Sequence, residues 1–185
     1  MKKISTLFQK DPNNLGRIIN TINPENAWVF NGEGIATRKF DGTAAAIIQG
    51  ELYKRYDVKK GRSVPENAIP CQEADALSGH HPHWLPCDRS KKEDRFFFEA
   101  FDNLPEIVDG TYECCGPKIQ GNPEKLDRHI LIPHGKEILE ITDFSFEAFR
   151  ELLSDPVLNI EGIVFHHLSD GRMCKIRKKD FGVKR

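Results

Sequence analysis

The chain has 185 residues, of which 38% are hydrophobic and 30% are charged, and its formal net charge at pH 7 is −1. This length and composition fit one globular domain with a sizeable core, and they exclude a disordered or fibrous chain. Because 27 basic residues balance 28 acidic ones, they also exclude a uniformly basic surface for binding nucleic acid.

Cellular setting is suggested by two features of the sequence. No apolar stretch approaches the roughly 20 residues that a membrane-spanning helix needs, and the N-terminus lacks the apolar segment of a signal peptide. Five cysteines, with Cys114 and Cys115 adjacent, do not suit a secreted disulfide framework. We therefore expect a soluble, cytoplasmic protein with reduced thiols and no membrane partner.

The N-terminal third is predicted to hold one short helix and then strands. Residues 12–22 follow Asp11-Pro12 with apolar residues at helical spacing, which predicts an amphipathic helix. Residues 28–58 show strand-like apolar runs, beginning at Trp28 and broken by glycines. This pattern places Lys39 at a strand end, where Gly42 would let the backbone approach a ligand.

Residues 60–90 contain four prolines and few periodic apolar positions, which predicts a long ordered loop of the kind that tends to be functional. Its thiols and imidazoles suggest zinc, although their spacing fits no standard paired site. The alternatives are contacts to a triphosphate or to RNA ends, or simple packing of the loop. The residues concerned are Cys71, His80, His81, His83, Trp84 and Cys87.

The C-terminal half is predicted to contain two helices and a hairpin. Residues 91–104 carry Phe97, Phe101 and Leu104 at helical spacing, and Ser145 is a candidate N-cap for a second helix. Residues 160–165 and 172–177 predict two strands joined by a tight Ser-Asp-Gly turn.

Four short motifs that carry chemistry are distributed along these elements in a fixed order. A lysine precedes an aspartate and a glycine, a glutamate precedes Gly-Pro-Lys-Ile-Gln, a second glutamate precedes an apolar strand, and two cations stand two residues apart. They are Lys39-Phe40-Asp41-Gly42, Glu113 with the segment that follows it, Glu161-Gly162 and Lys175-Ile176-Arg177. Four such elements in this order are hard to obtain by chance.

This set resembles motifs I, III, IV and V of the covalent nucleotidyltransferases, the superfamily of ATP-dependent DNA and RNA ligases and mRNA capping enzymes. The segment after Glu113 is most similar to the RNA ligases. The resemblance covers most of the chain and implies an α+β, ATP-grasp-like fold of two antiparallel sheets with flanking helices, the nucleotide lying between the sheets. It implies one nucleotidyltransferase domain over residues 1–185.

The activity that the resemblance implies is ATP-dependent joining of RNA 5′-phosphate and 3′-hydroxyl ends. Lys39 would be the nucleophile that becomes lysyl-AMP, and Glu161 would hold Mg²⁺ or Mn²⁺. A lysine attacks phosphorus only in its unprotonated form, which burial and nearby cations favour. The cations available for this are Arg38, Lys175 and Arg177, where the family has lysine at both of the last two positions.

Nucleotide binding is expected to involve the positive residues Arg38, Lys175 and Arg177 as well as Asp41, Gly42, Arg55 and Glu113. Glu113 matches the family's glutamate that accepts a hydrogen bond from the ribose. Arg55 is assigned to the ribose or to the acceptor end, although Lys54 is equally placed by spacing. No residue in 131–135 clearly matches the aromatic that stacks on adenine.

The oligonucleotide-binding domain that follows motif V in most DNA ligases and capping enzymes has no counterpart in this sequence. We expect a minimal single-domain RNA ligase whose loops, or an accessory protein or oligomer, replace that domain. Two alternatives stay open. One is a capping-type guanylyltransferase that uses GTP, and the other is a non-catalytic module that binds nucleotide or RNA.

Overall fold

A computed structural model of the chain describes residues 4–59, 61–74 and 79–185. These residues form a mixed α+β structure in which strands predominate and α-helices are few. The strands are β1 (Ser5–Thr6), β2 (Phe8–Asp11), β3 (Asn14–Ile22), β4 (Gly34–Lys39), β5 (Thr43–Ile48), β6 (Glu51–Val58), β7 (Ile69–Pro70), β8 (His81–Pro86), β9 (Gly110–Cys115), β10 (Ile130–Pro133), β11 (Ile138–Leu139), β12 (Gly162–His167) and β13 (Met173–Arg177). The α-helices are α1 (Arg95–Asp102) and α2 (Phe146–Ser154), and short 3-10 helices occupy Pro24–Val29, Lys92–Asp94 and Lys178–Phe181. Over this part of the chain, no helix has the length and apolarity needed to cross a bilayer.

The chain divides into two compact units that are interleaved in the sequence. The terminal unit comprises Ile4–Phe40 and Gly135–Arg185, and the central unit comprises Asp41–His134. Within the residues that the structure describes, the backbone therefore passes from one unit to the other twice. The nucleotidyltransferase domain expected over residues 1–185 stays a prediction.

The terminal unit is built on a five-stranded sheet in the order β1-β13-β12-β4-β11. Its strand pairs are antiparallel except for β1, which runs parallel to β13, so this sheet is mixed rather than antiparallel as predicted. Alternate residues such as Ile163, Phe165 and Ile176 point to one face and are almost fully buried there. Helix α2 packs Phe149 and Leu153 into the same core cluster.

The central unit is built on a six-stranded antiparallel sheet in the order β10-β9-β5-β6-β8-β7. One face of it packs against α1, which buries Phe97 and Ala100 in a cluster with Ala45, Ile47 and Leu52. The prediction of a helix within residues 91–104 is confirmed. Here the sheet is antiparallel, as expected.

The helix predicted over residues 12–22 is wrong, because this segment forms a hairpin with β2. The backbone N–H of Asn13 donates to Oδ1 of Asp11 at 2.8 Å, which is a local turn bond that reverses the chain before β3 begins at Asn14. Ile18 is buried whereas Leu15 is 73% exposed, so the apolar residues do not share one buried face. The β-branched residues of this segment suit a strand better than a helix.

Two further sequence predictions also need correction. Trp28 and Val29 belong to a 3-10 helix rather than a strand, and the Asn23 side chain caps that helix by accepting the Glu25 N–H at 3.2 Å. Residues 60–90 include β7 and β8 and are therefore not a single loop in the part that the structure describes. Strand β8 pairs with β6 over six residue pairs despite containing two prolines.

Three predictions near the motifs are confirmed. Lys39 is the last residue of β4. Ser145 caps α2 by accepting the Ala148 N–H at 3.2 Å. Strands β12 and β13 form an antiparallel hairpin, with Gly162 opposite Arg177 and Val164 opposite Lys175.

Candidate active site

Lys39 and Glu161 form an ion pair in the terminal unit. Nζ of Lys39 contacts Oε2 of Glu161 and also donates to the carbonyl oxygen of Phe40 at 3.3 Å. The two side chains are 20% and 16% exposed, so each retains access to solvent. Lys39 ends β4 and Glu161 immediately precedes β12, which pairs with β4 and brings the two side chains together.

A glycine separates Lys39 from Arg177 across the sheet. Gly162 lies opposite Lys39 on one side and opposite Arg177 on the other. Residues directly opposite each other on adjacent strands point to the same face, so both cationic side chains lie on one face of the sheet with no side chain between them. A Cβ atom at position 162 would lie 2.2 Å from the carbonyl oxygen of Ile176, so glycine is required for this close approach of β12 and β13.

Lys175 lies on the same face of β13 as Arg177, as its spacing predicted, while Cys174 and Ile176 are buried on the other. Burial, together with the positive charges of Arg177 and Lys39, lowers the pKa of Lys175 to about 8. Three cations, Lys39, Lys175 and Arg177, thus share one face of this sheet, and Lys175 is largely withdrawn from water. Such a cluster suits a polyanionic ligand.

Arg177 is fixed by a carboxylate that the sequence analysis did not assign. Nε and one terminal nitrogen of Arg177 donate to Asp180 at 3.1 and 2.8 Å, and Lys10 donates to the same carboxylate at 2.8 Å. The Asp180 side chain has no exposed surface. Burial raises the pKa of Asp180, but the hydrogen bonds from Arg177 and Lys10 outweigh it and hold the pKa below its ordinary value.

Arg38 points away from Lys39, because adjacent residues of a strand face opposite sides. Its guanidinium lies 3.3 Å from Glu137 and 4.6 Å from the centroid of the Phe40 ring, and it donates to the carbonyl oxygen of Asn159. The structure therefore does not bring Arg38 together with the cations on the Lys39 face. Its predicted role with the nucleotide stays a prediction.

In the central unit, Glu113 is joined to the start of β5. The backbone N–H of Gly42 donates to Oε1 of Glu113 at 3.0 Å, and the N–H of Asp41 donates to Glu124 at 2.8 Å. A Cβ atom on Gly42 would lie 2.2 Å from the carbonyl oxygen of Cys114. The glycine thus permits close packing of the backbone against β9. The sequence alone predicts instead that it permits the approach of a ligand.

The register of the central sheet distinguishes Arg55 from Lys54. Glu113 lies opposite Ala44, and Lys54 lies opposite Ala45, so Lys54 and Glu113 face opposite sides of the sheet. Lys54 pairs with the buried carboxylate of Asp94 beside α1. Arg55 therefore shares the face of Glu113, where its guanidinium lies 5.6 Å from the Trp84 ring centroid. Of the two basic residues, the geometry favours Arg55 for the predicted ligand contact.

The histidine-rich segment is largely part of the sheet. His83 and Trp84 are buried in β8, and Nδ1 of His83 lies 2.8 Å from the carbonyl oxygen of His81. Among residues 4–59, 61–74 and 79–185, no group of three or more His, Cys, Asp and Glu side chains is arranged to hold a metal ion. These contacts favour the packing alternative for His83 and Trp84.

No protein-family model matches the chain, and a search of curated proteins finds no match either. Functional conclusions therefore come from the geometry of the two sets of residues, one in each unit.

Asp180 and His134 are among the residues that contact predicted site residues but were not assigned from the sequence. Asp180 holds Arg177, and His134 lies 3.0 Å from Oε2 of Glu113. A signal for Asp180 existed, since it is the one acidic residue in the basic segment from Arg172 to Arg185. For His134 the sequence shows only that it follows a strand. It does not show that this strand, β10, pairs with β9, which carries Glu113.

Proposed function

We propose that this chain is an ATP-dependent RNA ligase that joins 5′-phosphate and 3′-hydroxyl RNA ends through a lysyl-AMP intermediate. The observation that carries the proposal is the arrangement of Lys39 beside Glu161, with Lys175 and Arg177 on the same face of the sheet. A nucleophilic amine, a carboxylate and two further cations are what attack on a nucleoside triphosphate requires. The motif order supports this reading.

In the first step the unprotonated Lys39 nitrogen attacks the α-phosphorus of ATP. A nitrogen–phosphorus bond forms, the bond from the α-phosphorus to the bridging oxygen breaks, and pyrophosphate leaves with the bond electrons. The amine proton passes to solvent. Lys175 and Arg177 would stabilise the negative charge that develops on the phosphate oxygens, and Asp180 holds Arg177 in place before the reaction.

Glu161 is the residue that would hold a divalent ion. Lys39 contacts only Oε2 of that carboxylate, which leaves Oε1 for a ligand. Mg²⁺ prefers oxygen ligands and commonly uses one or two carboxylates together with waters and substrate phosphates, so a single glutamate fits this ion. The ion would neutralise charge on the departing pyrophosphate.

The remaining two steps would use RNA. The 5′-phosphate oxygen attacks the phosphorus of lysyl-AMP and frees Lys39, which leaves AMP joined to the RNA end through a pyrophosphate linkage. The 3′-hydroxyl oxygen of the second end then attacks the 5′-phosphate phosphorus, the bond from that phosphorus to the AMP oxygen breaks, AMP leaves with the bond electrons, and the hydroxyl proton passes to solvent. Glu113 and Arg55, on one face of the central sheet, are proposed to contact ribose hydroxyls or the RNA end.

The first test is covalent labelling of the protein with α-labelled ATP or GTP and magnesium. Lys39→Arg is the sharpest variant, because it keeps a cation beside Glu161 but offers a guanidinium that stays protonated. We expect ATP to give an adduct stable to base and labile to acid, and we expect Lys39→Arg, Lys39→Ala and Glu161→Ala to abolish it. Lys136→Ala, at an exposed lysine of the same unit, should label normally.

The outcomes separate the candidate functions. Labelling of a folded Lys39→Arg protein would overturn the assignment of the nucleophile. An adduct formed from GTP alone would favour the capping-type guanylyltransferase. Absence of an adduct with either nucleotide would favour a binding module that lacks this chemistry. Circular dichroism of each variant shows that loss of labelling is not loss of folding.

A further inference from the structure

In the central unit, Thr111, His134 and Glu113 form a chain of hydrogen bonds that ends at the Glu113 carboxylate. Nε2 of His134 lies 3.0 Å from Oε2 of Glu113, and Nδ1 of the same ring lies 3.0 Å from Oγ1 of Thr111. The Gly42 N–H donates to the other carboxylate oxygen, Oε1, at 3.0 Å. Protein groups thus contact both oxygens of Glu113.

The chemistry of these groups fixes the direction of the bonds. An ionised carboxylate only accepts hydrogen bonds, so Nε2 of His134 carries a proton and donates it to Glu113. In a neutral ring Nδ1 is then an acceptor, and the Thr111 hydroxyl donates to it. Thr111 therefore orients His134, and His134 orients Glu113.

The backbone holds all three residues in register. Thr111 and Glu113 are two residues apart on β9 and point to the same face of the sheet. His134 follows β10, and its backbone N–H donates to the carbonyl oxygen of Thr111 at 3.1 Å. The Glu113 side chain is 11% exposed and the His134 side chain 23% exposed, so Glu113 is largely buried and His134 is partly open to solvent.

We propose that His134 is a positioning residue for nucleotide recognition, which holds the Glu113 carboxylate so that it accepts hydrogen bonds from the ribose hydroxyls. This inference rests on the proposed function. Each carboxylate oxygen has more than one acceptor site, so the bonds from Gly42 and His134 leave capacity for the sugar. A carboxylate fixed in advance loses less entropy when the ribose binds than one that must be ordered by it.

The inference makes a prediction about sugar discrimination. Without His134, Glu113 keeps its charge but loses its orientation, so ATP should lose the advantage that its hydroxyls provide. An analogue without those hydroxyls, 2′,3′-dideoxy-ATP, has no such advantage to lose. His134→Ala should therefore weaken the binding of ATP while leaving the binding of the analogue nearly unchanged.

The test is single-turnover adenylylation of Lys39 at increasing concentrations of ATP or of 2′,3′-dideoxy-ATP. For His134→Ala we expect the half-saturating ATP concentration to rise about tenfold, the factor that ~1.4 kcal/mol produces, with a smaller change in the maximal rate. The half-saturating concentration of the analogue divided by that of ATP should fall toward one. His134→Gln, which keeps an N–H donor near the Nε2 position, should restore most of the discrimination.

Three outcomes would overturn the inference. An equal rise in the half-saturating concentrations of ATP and of the analogue would mean that His134 only supports the fold. An unchanged preference for ATP over the analogue would mean that the orientation of Glu113 does not depend on His134. Failure of His134→Gln to recover more than His134→Ala would exclude the donor role. If the unmodified protein forms no Lys39-dependent adduct, the proposed function fails and this inference with it, whereas the other outcomes leave the proposed function intact.

Discussion

The two lysines of the candidate site, Lys39 and Lys175, differ in how their charges affect the stability of the fold. Lys39 pairs with Glu161, whereas Lys175 is largely buried beside two other cations. Burial and the two cations lower the pKa of Lys175 despite the opposing attraction of Glu161 and Asp180, so its charged form costs folding free energy. Lys175 is therefore the residue where a role in chemistry and a cost in stability should be separable.

We expect Lys175→Met to raise the thermal unfolding midpoint at pH 7 and to abolish adenylylation. Methionine fills a similar volume without a charge, which removes the desolvation cost and the repulsion from Arg177 and Lys39. Differential scanning calorimetry and labelling measure the two effects. Lys179→Met, at an exposed lysine of the same segment, should change neither to a comparable degree.

The effect of Lys175→Met on stability should depend on pH in a defined direction. The pKa of Lys175 is about 8 in the folded protein and about 10.4 in the unfolded chain, so the unfolded chain binds the proton more tightly. The unmodified protein therefore gains stability as the pH rises from about 8 toward 10.4. The advantage of Lys175→Met should shrink over that interval, and a constant advantage would contradict the assigned cause.

Within the terminal unit, Asp180 joins structural elements that are distant in the sequence. Lys10 lies in β2, Arg177 ends β13, and Asp180 lies in the 3-10 helix that follows. The carboxylate accepts hydrogen bonds from both side chains and from the backbone N–H of Arg177 at 3.0 Å. One buried aspartate thus ties the N-terminal hairpin to the strand that carries two predicted catalytic cations.

Replacing Asp180 should destabilise the protein strongly. Asp180→Asn leaves two cations facing a neutral amide, and breaking a buried ion pair in this way costs about 3 kcal/mol. Urea unfolding at pH 7 measures the change. The control is Asp170→Asn, in an exposed pair with Arg172, and it should shift the unfolding midpoint much less.

The effect of Asp180→Asn should also depend on pH. Because the folded pKa of Asp180 lies below its ordinary value of about 3.9, its stabilising contribution is complete above that pH and is lost as the pH falls through the folded pKa. The unmodified protein and Asp180→Asn should therefore converge in stability in acid. A difference that persists unchanged to low pH would mean that the ion pairs are not its source.

At the scale of the whole molecule, the chain forms two units, each with its own sheet and core cluster. The cations assigned to the triphosphate belong to the terminal unit, and Glu113 and Arg55 belong to the central unit. If the proposed function is correct, ATP should act as a ligand of the folded protein and stabilise it by mass action.

We expect ATP with magnesium to raise the unfolding midpoint of Lys39→Arg, in which binding occurs without the covalent step. At 100 times the dissociation constant the stabilisation is about 2.7 kcal/mol, enough for a shift of about 5 °C or more in a protein of this size. Thermal shift measurements with ATP and GTP compare the nucleotides directly. A shift with GTP alone would support the capping-type alternative.

Much of the candidate site follows from local patterns that the sequence displays. The spacing of Lys175 and Arg177 correctly predicted a shared face, and the Ser-Asp-Gly turn correctly predicted the β12–β13 hairpin. Local signals failed where two structures share a pattern, as in residues 12–22, where apolar residues at helical spacing occur in a strand. Before Trp28, the pair Asn23-Pro24 favours the start of a helix, and the structure has a 3-10 helix there.

The sequence by itself determined the kinds of chemical group present, their order along the chain, and the ends of several helices and strands, because these depend on neighbours only a few residues away. Tertiary structure alone decided which groups meet. Lys10 reaches Asp180 across 170 positions, and His134 reaches Glu113 across 21. Such contacts depend on strand pairing and register, and a shift of one residue would turn each side chain to the opposite face.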